Sequence, residues 1–244
     1  MILTNDLLSS KYTFDKIKFS VDQPTLEKAF SLYETGKITQ VKENFNSYNA
    51  SIIGTQPYQT SIDKNDFYYG SCTCYLGQNN TLCKHMVALA IYVVKNNQPL
   101  TKNDKNIIQN PTCSNKIGTI SKIELLTIKR NITNALKYIK AYTGPSKNWF
   151  KYQSLLSEGC NRLSEIVSDL SINKTTAQIL VNLILRLDKK LATGGVDDSD
   201  GEVGNFIEET VNVLHQFVKL NPECSNALLD LKNKKTLGII SSDK

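Results

Sequence analysis

Long apolar runs are missing from this chain. The longest, "MVALAIYVV" at residues 86–94, is nine residues, and a membrane-crossing helix needs about twenty, so no membrane partner is expected. The opening "MILTNDLLSSKYTFDK" has no basic leader followed by an apolar block and does not read as a secretory signal. Glycine loops that cradle phosphates are absent, as are nucleophile-elbow sequences. Acidic residues are plentiful, but their spacing selects no acid–base pair. With no catalytic constellation in view, the chain is expected not to be an enzyme. Histidine and cysteine are scarce, at two and six in 244 residues.

What remains is the composition of an ordinary globular protein, 40% hydrophobic and 21% charged. The length suits one large or two small domains. A cytoplasmic location is the default expectation. Thiols stay reduced there, so the cysteines read as ligands or core residues before disulfides. The formal charge of +6 is unevenly spread: +1 over residues 1–101, +8 over 102–151 and −3 over 152–244. A block of that kind is a solvated face or a footprint for a polyanion.

The first hundred residues read as α+β. "DQPTLEKAFSLYETGK" has Pro24 in a first helical turn and Gly36 at a helix end, with Leu26, Ala29, Phe30 and Tyr33 on one face. Short antiparallel strands follow in "KITQVKENF", "YNASIIGTQ" and "PYQTSI", and "DFYYGSCTC" reads as a further strand. After His85 the chain turns apolar and helical. Residues 98–118 are polar and aperiodic and read as a linker between a domain at 1–97 and another at 119–233, with a tail at 234–244. The second domain reads as all-α and antiparallel. Its helices are expected in "SKIELLTIKRNITNALKYIKAY", opened by a Ser121/Glu124 capping box, then "SKNWFKYQSLLSEGCNRLSEIVSDL", "KTTAQILVNLILRLDKKLA" and "NFIEETVNVLHQFVKL". A shorter one is expected around "SNALLDL".

Half of the cysteines and one of the two histidines fall within "CTCYLGQNNTLCKH", residues 72–85. The form is C-x-C, an eight-residue insert, then C-x-H. Structural zinc takes four nitrogen or sulfur ligands in a tetrahedron. Two close pairs on two segments supply them, and the insert, with Gly77, Asn79 and Asn80, is turn chemistry that brings the chain back. Cys72, Cys74, Cys83 and His85 are therefore the expected ligands of one structural Zn²⁺. Iron–sulfur ligation asks for four cysteines. A Cys83–His85 catalytic dyad lacks an orienting third group, and four protein ligands leave no open position for water. The metal would replace much of the core that fewer than a hundred residues struggle to build.

At these residues the chain resembles the SWIM-type zinc fingers, whose pattern is C-x-C…C-x-H before an apolar helix, here "CTC…CKHMVALAIY". "AFSLYETGKI" looks like the helix-then-glycine that opens such domains. "SIIGTQPYQTSI", with Gly54 and Tyr58, is similar to the strand pair before their cysteines. The likeness covers residues 20–96 and implies the same four zinc ligands. It also implies binding to DNA or to other proteins. The family occurs beside helicase-type ATPases and in transposase- and ubiquitin-ligase-related proteins, and none of those catalytic domains is seen here. "VDDSDGEVGNFIEETVNVLHQF" looks like a stretch in the helical C-terminal region of some bacterial SWIM-containing proteins.

Along the helix expected at 121–142, Lys122, Lys129, Arg130, Lys137 and Lys140 fall within about a quarter-turn, apart from Leu125, Ile128, Ile132, Ala135, Ile139 and Tyr142. They are the candidate nucleic-acid contacts, joined by Lys102, Lys105, Lys116, Lys147 and Lys151; such contacts grip phosphates without reading bases. The expected function is a non-enzymatic zinc-finger module that binds DNA or another nucleic acid. The alternative is an adaptor that recruits a protein such as a helicase-type ATPase. "DDSDGEVG" fails the EF-hand template, because with Gly201 at position six Val196 and Ile207 stand where oxygen ligands belong. His215 and Cys160 read as packing residues, and Cys113 and Cys224 stand alone.

Overall fold

The computed structural model describes residues 10–233; the region read as a tail, 234–244, lies outside the described residues, as do the first nine. The chain divides into two compact units, Met1–Ile107 and Ile108–Lys244.

The first unit contains α1 (Phe14–Ser20), α2 (Gln23–Glu34), β1 (Ile38–Glu43), β2 (Ser47–Ile53), β3 (Pro57–Asp63), β4 (Gly70–Cys72), α3 (Tyr75–Gln78), α4 (Lys84–Lys95) and α5 (Lys102–Lys105). The strands form one antiparallel meander in chain order. Period-2 burial in β2 turns Tyr48, Ala50 and Ile52 inward while Asn49 and Ile53 face out. α2 starts where Asp22 accepts the Thr25 amide and stops where Gly36 takes φ +64°, a left-handed conformation that suits glycine. α4 buries His85 through Ile91 without a break, as a helix apolar all round must. It contacts α1, α2 and every strand of the sheet.

Three local features differ from the sequence reading. α1 was not foreseen; it is seven residues long, too short for a periodic signal, yet it buries Ile17. The strand expected across "DFYYGSCTC" is formed only at β4. Ahead of it the chain turns on Asp66, whose side chain accepts the Tyr68 amide at 3.2 Å and whose carbonyl accepts the Tyr69 amide at 3.0 Å, and this turn drops Phe67 into the core. The core around Tyr48, Ile52, Ile62, Phe67, Leu89 and Ile91 is also more continuous than a metal-dependent knuckle requires.

The second unit is helical: α6 (Lys122–Ala135), α7 (Trp149–Ser168), α8 (Lys174–Thr193), α9 (Glu202–Leu220) and α10 (Ser225–Asn233). α7 packs on α6 and α9, and α8 packs on α9 and α10. Tyr152, Leu156, Cys160, Leu163, Val167 and Leu170 are buried in its core, and Trp149 is half-buried. The stretch 98–118 is ordered at both ends. Thr101 and Asp104 form a capping box on α5, and Lys95 pairs with Asp104 at 2.7 Å. Further on, the Lys116 carbonyl accepts the Ile172 amide at 2.6 Å, and Ile117 makes a β-bridge with Ile172.

The helix read from Ser121 to Tyr142 is a correction. The Ser121/Glu124 capping box opens it, but α6 ends at Ala135. The chain then turns so that Ile139 packs on Gly159, where an added Cβ would lie 2.7 Å from Ile139 Cγ1. Lys190 Nζ donates to the Ile139 carbonyl at 2.5 Å and the Tyr152 hydroxyl to the Lys140 carbonyl at 2.8 Å, replacing helical partners. Lys137 and Lys140 therefore lie beyond α6.

The Asp-rich loop 196–201 is a helix-starting device. The Asp198 carboxylate accepts the amides of Val203 and Gly204, both at 2.8 Å, at the positive end of α9. Asp197 accepts the Trp149 indole N–H at 3.1 Å. No described helix is long and apolar enough to cross a membrane. Asp198→Ala is expected to destabilise the second unit by about 1 kcal/mol, the usual cost of a lost cap. Denaturant unfolding followed at Trp149 checks this.

Candidate functional site

Three local structures converge on the cysteine cluster. The β3–β4 register pairs Thr60 with Cys72 at the last residue of β4, so Thr60 Oγ1 comes within 3.4 Å of Cys72 Sγ. Cys74 caps α3, its sulfur accepting the Gly77 amide at 3.4 Å. Cys83 precedes α4, and His85 is that helix's second residue. The insert read as a plain turn is thus a short helix with the Asn79–Asn80 turn behind it; Asn80 takes φ +54°.

The four ligand atoms lie within 4.8 Å of one another. His85 Nδ1, and not Nε2, faces the sulfurs, 3.6 Å from Cys72 Sγ and 3.9 Å from Cys83 Sγ. A tetrahedron with bonds of about 2.3 Å to sulfur and about 2.1 Å to nitrogen has edges of roughly 3.6–3.8 Å. The residues fit zinc in donor type and in size. All four side chains are nearly out of solvent, from 1% exposed at Cys83 to 9% at Cys74. The Cys83 thiol, then His85 and Thr60, hold the Cys72 thiol well below its ordinary value, against burial. Hydrogen bonding to Cys72 and burial push Cys83 up. A bound metal ion would favour the thiolate form of the sulfurs.

The surrounding shell is specific. A Cβ on Gly77 would overlap the Cys72 carbonyl oxygen and come within 2.5 Å of Cys72 Cβ, so the α3 turn closes only with glycine there. Tyr58 stacks on the His85 ring, centroids 4.4 Å apart and tilted 27°. Gly54 lets the β2–β3 turn approach that pair; a Cβ there would sit 2.9 Å from Tyr58 Cε2 and 3.4 Å from His85 Nε2. Nε2 is buried with no hydrogen-bond partner among the described residues, so stacking and close packing orient the ring, where metal-bound histidines usually donate to an oxygen. Thr60 and the packing role of Gly77 carried no signal in the sequence, because both depend on strand register and chain closure.

A buried Cys₃His cluster of this size is a set of donors that could hold a tetrahedral metal ion. More particularly, residues 58–94 match the SWIM zinc finger family, and all four ligands fall within the matched segment. No curated protein and no solved structure matches the chain. The chain carries a zinc-binding module. Among the described residues no other grouping of metal-capable side chains occurs. Cys160 and Cys224 are core residues, Cys113 packs against the core, and His215 is half-buried on α9.

Lys122, Lys129, Arg130, Lys137 and Lys140 are all exposed. Lys122, Lys129 and Arg130 share α6, whose inner face buries Ile132 and Ala135. Lys137 donates to Asn134 Oδ1 at 2.8 Å, and none of the five makes an ion pair among the described residues. The auxiliary lysines are dispersed. Lys102 and Lys105 lie in the first unit, Lys105 pairs with Glu34, and Lys116 pairs with Asp169 at 2.9 Å.

Gly77→Val is expected to lower metal affinity by roughly 10–100-fold, as disturbing a supporting shell does, without removing a ligand. Competition between the chain and a chromophoric chelator for Co²⁺ or Zn²⁺ measures it. Cys83→Ser is expected to abolish stoichiometric binding and to speed amide exchange first at residues 70–87, leaving the α2–α4 core protected.

Proposed function

We propose that this chain is a non-enzymatic nucleic-acid-binding module, with DNA as its first candidate ligand, in which one structural Zn²⁺ holds the finger rigid. The observation that carries this reading is the outer face of α6. It presents Lys122, Lys129 and Arg130 exposed and without acidic partners among the described residues, with Lys137 and Lys140 exposed just beyond. Cations left uncompensated on a solvent-facing helix attract a phosphate backbone and release its counterions on binding. The contacts position the ligand and leave base sequence unread. Six free cysteines suit a reducing compartment such as the cytoplasm.

A second reading, a protein-recruiting adaptor, is favoured by exposed apolar side chains on the same helix, Ile123 at 79% and Leu126 at 59%. Scattered exposed apolar residues are common on monomers, so the cations weigh more.

Binding to duplex and single-stranded DNA is expected to weaken linearly in log affinity against log salt, by about 0.9 per phosphate contact on a duplex. Lys129→Glu with Arg130→Glu should weaken it strongly at low salt. Salt-insensitive binding, or none at low salt, overturns the reading. A stoichiometric protein partner that survives nuclease treatment favours the adaptor.

A further inference from the structure

The cations of α6 do not act alone in the fold. Beside them, between α6 and α8, lie two cavities of about 270 and about 300 Å³ that share Lys129, Ile179 and Asn182. Their shared lining makes them adjoining halves of one trough. Ile179 is buried in that lining, which also carries Lys129 from α6 with Lys174 and Arg186 from α8, all three exposed. Lys174, Gln178, Asn182 and Arg186 recur every fourth residue, which places them along one ridge of α8. No acidic residue lines either cavity. None of the three cations makes an ion pair among the described residues. Gathering like charges around a concavity without a counter-charge is unfavourable by itself, and an anion drawn into it offsets the repulsion.

Length and shape narrow the anion. Lys174 and Arg186 are twelve residues apart, about 18 Å along the helix axis, which spans several consecutive phosphates. No aromatic ring lines the trough, so it offers no stacking platform for bases. The Gln178 and Asn182 amides can donate to phosphate oxygens or meet base edges. A single strand is flexible enough to bring successive phosphates to cations strung along one helix, whereas a duplex holds its phosphates in fixed positions.

We propose that the α6–α8 trough seats the phosphate backbone of a single-stranded nucleic acid, with Lys129, Lys174 and Arg186 as its contacts. This rests on the nucleic-acid reading above and adds two residues from a region of net negative charge.

The test compares the zinc-loaded full chain, a Lys174→Ala/Arg186→Ala variant and a charge-matched control, Lys28→Ala/Lys219→Ala. Each is titrated by fluorescence anisotropy with labelled oligo(dT), oligo(U) and a DNA duplex over a salt series. Alanine on exposed helix positions should keep the unfolding midpoint near that of the unmodified chain. For single strands, the trough variant is expected to bind more weakly, with a salt slope shallower by about 1.4, at roughly 0.7 per lost contact. The control should keep the original slope. If oligo(dT) and oligo(U) respond alike, the backbone is what is held; a loss confined to one assigns the strand to DNA or to RNA. If the unmodified chain binds nucleic acid and the trough variant behaves as the control does, the trough is overturned and the broader reading stands. The same holds if the loss appears only with duplex. If the unmodified chain binds no nucleic acid at low salt, both fall together.

Discussion

Three sulfurs and one imidazole nitrogen held within 4.8 Å of one another, away from water, set the terms for the finger. Polar atoms so crowded are costly to bury unless something satisfies them together. Hydrogen bonding lowers the Cys72 thiol and raises that of Cys83. A divalent cation held there would tie the end of β4 to the start of α4. Thr60, Gly77, Gly54 and Tyr58 surround that junction, each through a contact at or beside a ligand.

The junction does not carry the whole unit. α4 runs on from His85 as a helix buried all round, and Val87, Leu89 and Ile91 are fully enclosed. Full burial of each such side chain is worth about 1.5–3 kcal/mol, a source of stability the smallest zinc fingers lack. A metal bound there would act mainly on the β4–α3 knuckle and its hold on α4, while the sheet and α2 rest on packing.

Charge behaves differently in sequence and in space. Residues 102–151 carry the basic excess, yet its lysines are shared between two units, and Lys105 and Lys116 are offset by Glu34 and Asp169. Lys174 and Arg186 come from a stretch that is net negative, but each lines a cavity together with Lys129 of α6. Segment totals locate charge along the chain and do not say which cations share a surface.

The sequence by itself determined the ligand set, because C-x-C and C-x-H pairs are local patterns of chemistry and spacing. It also determined the sheet-then-helices order and most helix starts, which rest on caps and periodicity written into neighbouring residues. Only the tertiary structure decided which imidazole nitrogen faces the sulfurs, why residue 77 must be glycine, and that α6 stops at Ala135 when Ile139 meets Gly159. It also aimed the Asp198 carboxylate at the Val203 and Gly204 amides and brought Lys129 and Arg186 to the lining of one cavity. Those outcomes depend on the exact geometry in which atoms meet at van der Waals or hydrogen-bond range, some from near in the chain and some from far, and that geometry is settled by packing.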